Sequence, residues 1–135
     1  MLYDNALLLR FMNWAYSETG DELFRKRIEQ TVDWLVREMR TESGFASSLD
    51  ADSDGEEGVY YTWTKTELNH VLGDKISQFS RFFSLGTVSH WEGNPVIFQT
   101  EEQIAASVSA PEDAEAIRAT LLAHREATRT KPGRD

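Results

Sequence analysis

The sequence contains no cysteine. This excludes a disulfide framework, a thiol nucleophile, a cysteine-ligated metal and any redox role carried by the chain's own thiols. Cations are also scarce: 14 Lys and Arg stand against 23 Asp and Glu, a formal net charge of −9. Such a balance argues against a nucleic-acid backbone or an anionic membrane as partner. No apolar run reaches the ~20 residues that a membrane span requires. Met1 leads straight into a helix carrying Asp4 and Arg10, so no signal peptide is expected. The lack of cysteine is compatible with a cytoplasmic home, and nothing in the sequence calls for a cofactor.

What is present suits one ordinary globular domain: 135 residues, 40% hydrophobic and 11% aromatic. Leu2 to Ser17 reads as a helix apolar on nearly every side, which expects neighbours on more than one face. Thr19-Gly20-Asp21-Glu22 offers a glycine stop and a new cap. From about Asp21 to Arg40 follows an amphipathic helix with Phe24, Ile28, Val32, Leu35, Val36 and Met39 on one stripe. Thr64-Lys65-Thr66-Glu67 is a capping box opening a short helix that ends near Gly73, and a second helix is expected from about Asp74 to Ser84. Leu85 to Gln99 is irregular, broken by Gly86, Gly93 and Pro95. Thr100 to Gln103 caps a helix through about Val108, and the last helix runs from about Pro111 to Thr128. Arg125, Arg129, Lys131 and Arg134 gather at its far end as a frayed basic tail.

Between the two helical halves stands Gly44 to Trp63, with alternating runs at Phe45 to Leu49 and Val59 to Trp63 around Asp50, Asp52, Asp54, Glu56 and Glu57. This pattern predicts a β-hairpin with an acidic tip. The tip holds no Lys or Arg, so its carboxylates must be solvated, share protons, hold a cation or meet a basic group from elsewhere. If the chain stays extended, Asp50, Asp52 and Asp54 point to one face. The spacing D-x-D-x-D-G matches the start of an EF-hand, but its twelfth position is Tyr61 where a bidentate Glu is needed, and the flanks read as strands. A looser cation site stays open beside an ordinary solvated turn and beside general acid–base chemistry by crowded carboxylates.

Met1 to Ala6, Gly44 to Ser53, Glu56-Glu57-Gly58, Tyr61-Thr62-Trp63 and Trp91-Glu92-Gly93-Asn94 together resemble a family comprising spermatogenesis-associated protein 20 and bacterial thioredoxin-domain-containing relatives. The resemblance, expected over essentially the whole chain, implies a mainly α fold. The 135 residues would be a slice of an (α/α)6 toroid similar to N-acylglucosamine 2-epimerase and the six-hairpin glycosidases, without the N-terminal thioredoxin-like domain and without the later helices. By that similarity the acidic hairpin faces a central pocket for a carbohydrate-like ligand. Asp50, Asp52, Glu56 and Glu57 would be its catalytic acids and bases, and Tyr3, Asp4, Asn5, Tyr61, His90, Trp91 and Glu92 would bind substrate. Carboxylates ~5 to 5.5 Å apart would retain anomeric configuration and those ~6.5 to 9.5 Å apart would invert it. Epimerases of this fold use paired histidines, whereas His70, His90 and His124 lie on different predicted elements. A slice would be inactive alone and would self-associate through the exposed first helix. The rival expectation is a scaffold or interaction domain whose acidic hairpin is structural or binds a cation.

Overall fold

The computed structural model describes residues 1–91 and 94–135, with the side chains of residues 87–91 outside that description. The chain is mainly helical with two small antiparallel sheets and divides into two compact units, Met1–Ala51 with Pro132–Asp135, and Asp52–Lys131. Among the described residues, no helix is long and apolar enough to cross a membrane.

In the first unit, α1 (Leu2–Thr19) ends at Gly20, whose φ of 66° is left-handed, with its N–H donated to the Tyr16 carbonyl. The next cap is Asp21, not Thr19: its carboxylate accepts from the Leu23 amide, while the Thr19 hydroxyl donates to the Ala15 carbonyl. Helix α2 (Glu22–Trp34) then widens into a π-helical turn at Leu35–Met39, so the expected second helix is one element with a loosened end. Leu35, Met39 and Ala46 form the core here, packed by Leu2, Leu9, Trp34 and Leu49.

Arg134 is no part of a frayed tail. Its Nε donates to the Glu38 carbonyl at 2.5 Å, and Leu49 bridges Arg134 in antiparallel fashion. Asp50 donates its amide to Gly133 at 2.9 Å, and Asp135 donates to Ser48 at 3.1 Å. Phe45 to Leu49 is therefore extended, as its alternation predicts, yet it pairs with the last residues of the chain and with Arg40. Val59 to Trp63 is not its partner.

The second unit packs α3 (Lys65–Leu72), α4 (Ile76–Phe82), α5 (Glu101–Ser109) and α6 (Pro111–Thr128) around Trp63, Leu68, Leu72, Phe79, Phe82, Phe83, Ala114, Ile117 and Leu121. A 3-10 turn at Gly73–Lys75 stands where the second helix was expected to begin. The predicted box at Thr100 is complete: its hydroxyl accepts from the Gln103 amide, and the Gln103 side chain accepts from the Thr100 amide. Gln103 also donates to the Ser80 carbonyl, and Gln99 donates to the Phe82 carbonyl, which fixes α5 against the end of α4.

Two strands occupy the stretch read as irregular. The acidic hairpin consists of β1 (Asp52–Ser53) and β2 (Glu56–Glu57), while β3 (Ser84–Trp91) pairs with β4 (Asn94–Phe98) across an irregular register between Leu85 and His90. Pro95 fits β4 because it is used there as an acceptor, its carbonyl taking the Trp63 amide at 2.9 Å.

Candidate functional site

The acidic hairpin is shorter than the flanking alternation predicts. Its turn is Asp54-Gly55, with φ of 56° and 80°. Two successive positive φ values mark the two-residue turn whose twist matches paired strands, and Asp followed by Gly is the sequence that tolerates it. The register sets Asp52 opposite Glu57 and Ser53 opposite Glu56. Asp54's left-handed backbone breaks the extended alternation, so the expected comb of Asp50, Asp52 and Asp54 on one face does not form. Gly58, at φ 72°, then turns the chain into a 3-10 segment, Val59–Tyr61, where a strand was expected.

All five tip carboxylates are exposed, and among the described residues none takes an ion pair or a side-chain hydrogen bond. Nor do the described residues contain a group of His, Asp and Glu arranged to hold a metal. Solvation, the first of the alternatives open for this tip, accounts for these acids. A basic group from elsewhere in the chain, another of those alternatives, does come near the hairpin, but it serves different groups.

That group is Arg129, the residue just after α6. Its Nη1 donates to the carbonyls of Tyr60 at 2.9 Å and Thr62 at 2.6 Å, with Val59 at 3.4 Å, and its Nη2 donates to Glu67 Oε1 at 2.7 Å. The guanidinium lies 4.4 Å from the centre of the Trp63 ring. A planar fork of donors suits this task, because carbonyls left at the end of a 3-10 turn need partners and only a guanidinium reaches several at once. Glu67 is consequently only half of the predicted capping box. Thr64 accepts from the Glu67 amide, but the Glu67 carboxylate turns to Arg129 and stands 3.4 Å from His124 Nε2. Arg125, one turn earlier on α6, lies 4.7 Å from the Tyr60 ring and 5.4 Å from the Tyr61 ring, and the two tyrosines meet edge to face at 5.0 Å.

Beside this clamp is a cleft of about 330 Å³ lined by Ser53, Asp54, Glu56, Glu67, Asn94 and Arg129, with Trp63 and threonine side chains completing the wall. Ser53 is buried and its hydroxyl donates to the Thr130 carbonyl, which ties the hairpin to the segment after α6. Of the residues expected to be catalytic, Glu56 lines the cleft; Asp52 and Glu57 share its hairpin but are not part of the lining, and Asp50 belongs to the first unit. Tyr3, Asp4 and Asn5 also belong to the first unit, in the first turn of α1. They do not cap it through their side chains: Asn5 Nδ2 donates to the Met1 carbonyl, and Tyr3 is exposed. Tyr61 packs on Tyr60 and Arg125 and does not line the cleft. Glu92 and the side chains of His90 and Trp91 lie outside the described residues.

Glu67, His124 and Arg129 were not singled out as site residues from the sequence. His124 and Arg129 approach Glu67 and Trp63 across some sixty residues of chain, and no local spacing encodes that. The one available signal was the Glu at the third position of the Thr64 cap, since a carboxylate there is placed to look either back at the helix start or outward to a cation.

No family model matches the chain. Among curated proteins it is similar to human spermatogenesis-associated protein 20, at 34% identity over 83 residues, which is 56% of this chain and 11% of that protein. The mouse protein of the same name gives 34% over 83 residues, covering 56% and 10%. The rat protein gives 32% over 93 residues, covering 64% and 12%. Expected over essentially the whole chain, the resemblance is thus found over somewhat more than half of it, and the match spans about a tenth of the length of these relatives.

Proposed function

We propose that the cleft beside the Asp54-Gly55 turn is one wall of a pocket for a carbohydrate-like ligand, in a protein whose helical hairpins are arranged as a piece of an (α/α) toroid. The observation that supports this is the lining itself. Exposed carboxylates of Asp54 and Glu56, which lack a protein partner among the described residues, stand beside Asn94 and threonine hydroxyls in a concave space of about 330 Å³. Carboxylates with free lone pairs accept hydrogen bonds from sugar hydroxyls, and such charge-assisted bonds are about twice as strong as neutral ones. Trp63 is 4% exposed and belongs to the core, so hydrogen bonding rather than ring stacking is the mode of recognition.

Within that reading Glu56 and Glu67 are the two carboxylates for acid–base work on the ligand. Glu67 Oε1 accepts from Arg129 Nη2 at 2.7 Å, and Glu56 is exposed on the solvent side. Two such carboxylates suit either isomerisation or hydrolysis of the ligand. The test is NMR titration of the whole chain with neutral hexoses, N-acetylated hexosamines and uronic acids. Chemical-shift changes clustered on Asp54, Glu56 and Asn94, weakened ~10-fold or more by Glu56→Gln, are the expected outcome. Absence of clustered changes at high millimolar sugar would remove the reading.

A second reading, an interaction domain, is favoured by a different observation: the exposed apolar side chains of α1. Its acidic hairpin would then be structural.

A further inference from the structure

Helix α1 carries two apolar stripes. Leu2, Leu9, Met12 and Tyr16 are half-buried and Ala15 is buried, and this stripe meets α2 and the core of the first unit. Tyr3, Leu7, Phe11 and Trp14 recur at steps of four, four and three residues on the opposite side of the helix, about half a turn away at ~100° per residue. These four are 61%, 62%, 56% and 62% exposed. Phe11 and Trp14 already touch, with ring centres 6.2 Å apart, so the stripe has an aromatic end and a mixed Tyr–Leu end.

We infer that this outer stripe is the self-association surface of the chain, and that a second copy occupies it by antiparallel pairing of α1 with α1 about a two-fold axis. Three observations favour a second copy. The first is area. Aromatic side chains bury 150 to 250 Å² each when fully covered, so the exposed fractions of Tyr3, Phe11 and Trp14, with that of Leu7, offer roughly 500 Å² per copy. Two copies together reach ~1,000 Å², the lower bound for a specific interface. The second is charge. The chain carries −9, but α1 contains only Asp4, Arg10 and Glu18 and sums to −1, so two copies approach along this helix with little of the repulsion that the rest of the chain would bring. The third is complementarity. An antiparallel arrangement sets Tyr3 of one copy beside Trp14 of the other and Leu7 beside Phe11, each aromatic end meeting the mixed end, as a self-complementary patch on a two-fold requires. The inference is independent of the cleft reading, since it uses residues of the first unit alone.

Sedimentation of the whole chain between ~1 and ~200 µM tests it. The expected result is a reversible monomer–dimer equilibrium that Phe11→Glu and Trp14→Glu each weaken at least ~10-fold. Asn13→Glu, exposed but off the stripe, leaves it unchanged. Should Phe11→Glu lose helicity, Tyr3→Glu in the first turn gives the same reading at less cost to the helix. Because the chain has no cysteine, oxidising a mixture of Tyr3→Cys and Trp14→Cys chains should give mainly the mixed disulfide. A monomer at the highest concentration, an assembly indifferent to the stripe, or like-with-like disulfides would each overturn the inference.

Discussion

Replacing Arg129 by alanine is the most informative perturbation of the second unit. The guanidinium is 15% exposed by side chain and supplies donors to the Tyr60 and Thr62 carbonyls at 2.9 and 2.6 Å and to Glu67 at 2.7 Å. It also lies over the Trp63 ring. A hydrogen bond from a charged donor contributes about 1.5 to 3 kcal/mol, and a buried group left without a partner costs ~1 to 3 kcal/mol. A desolvated cation–π contact adds up to about 2 kcal/mol. These contributions share one side chain and do not add; water reaches some of the freed groups, and Glu67, at 27% side-chain exposure, keeps contact with solvent and His124. A loss of about 3 kcal/mol is therefore expected, close to that for breaking a buried pair by removing one partner. For a unit of this size each kcal/mol moves the midpoint by about 4 to 8 °C, so Tm should fall by roughly 12 to 24 °C. The assay is urea and thermal unfolding followed by near-UV circular dichroism and tryptophan fluorescence. Arg129→Lys should recover less than half of the loss, because an ammonium keeps the charge but cannot fork between carbonyls. A loss under ~0.5 kcal/mol for Arg129→Ala, or full recovery by lysine, would refute the argument.

Gly55→Val should cost about 1 to 2 kcal/mol and loosen the acidic hairpin, because a β-branched residue resists a φ of 80°; unchanged amide exchange at Ser53 and Glu56 would count against it. Gln103→Leu should cost about 2 kcal/mol by orphaning the Ser80 carbonyl and the Thr100 amide, read from denaturant midpoints, and a neutral result would show that water replaces the amide. On α2, Glu22 is held below the ordinary carboxylate range, first by its hydrogen bond to Arg25 and then by that residue's charge, against the opposing effect of desolvation. A depressed folded pKa contributes stability that is present above the unfolded Glu value and lost as pH falls through the folded one. Helicity of α2 should therefore weaken in that acid window, modestly because the pair is exposed, and Glu22→Gln should flatten the change; superimposable pH profiles would show that the pair contributes nothing.

Much of the helical half was legible residue by residue. Gly20 stops α1, Thr64 and Thr100 cap α3 and α5, and Pro111 opens α6, since each of these is a contest between a side chain and backbone amides within four residues. The Asp54-Gly55 turn is equally local. The alternation of Phe45 to Leu49 correctly marked extended chain but not its partner, because pairing is chosen by what the tertiary structure brings alongside: here Gly133 to Asp135, not Val59 to Trp63. Gly86 and Pro95 masked β3 and β4 for the same reason, as a strand that meets its neighbours through carbonyls tolerates breakers that an isolated propensity does not.

The candidate site divides along the same line. By itself the sequence determined a mainly helical chain, an acid-rich turn with no local cation, an apolar first helix and no thiol chemistry, because composition, capping and periodicity act over a few residues. Only the tertiary structure decided which carboxylates line the cleft. It left Asp50 on the first unit, spread Asp52 and Glu57 into solvent, and drew Glu56 and Glu67 to one cleft by spending Arg129 on the carbonyls of Tyr60 and Thr62. A guanidinium goes where unpaired carbonyls and a carboxylate coincide in space, and that coincidence joins groups more than sixty residues apart, beyond the reach of any spacing in the sequence.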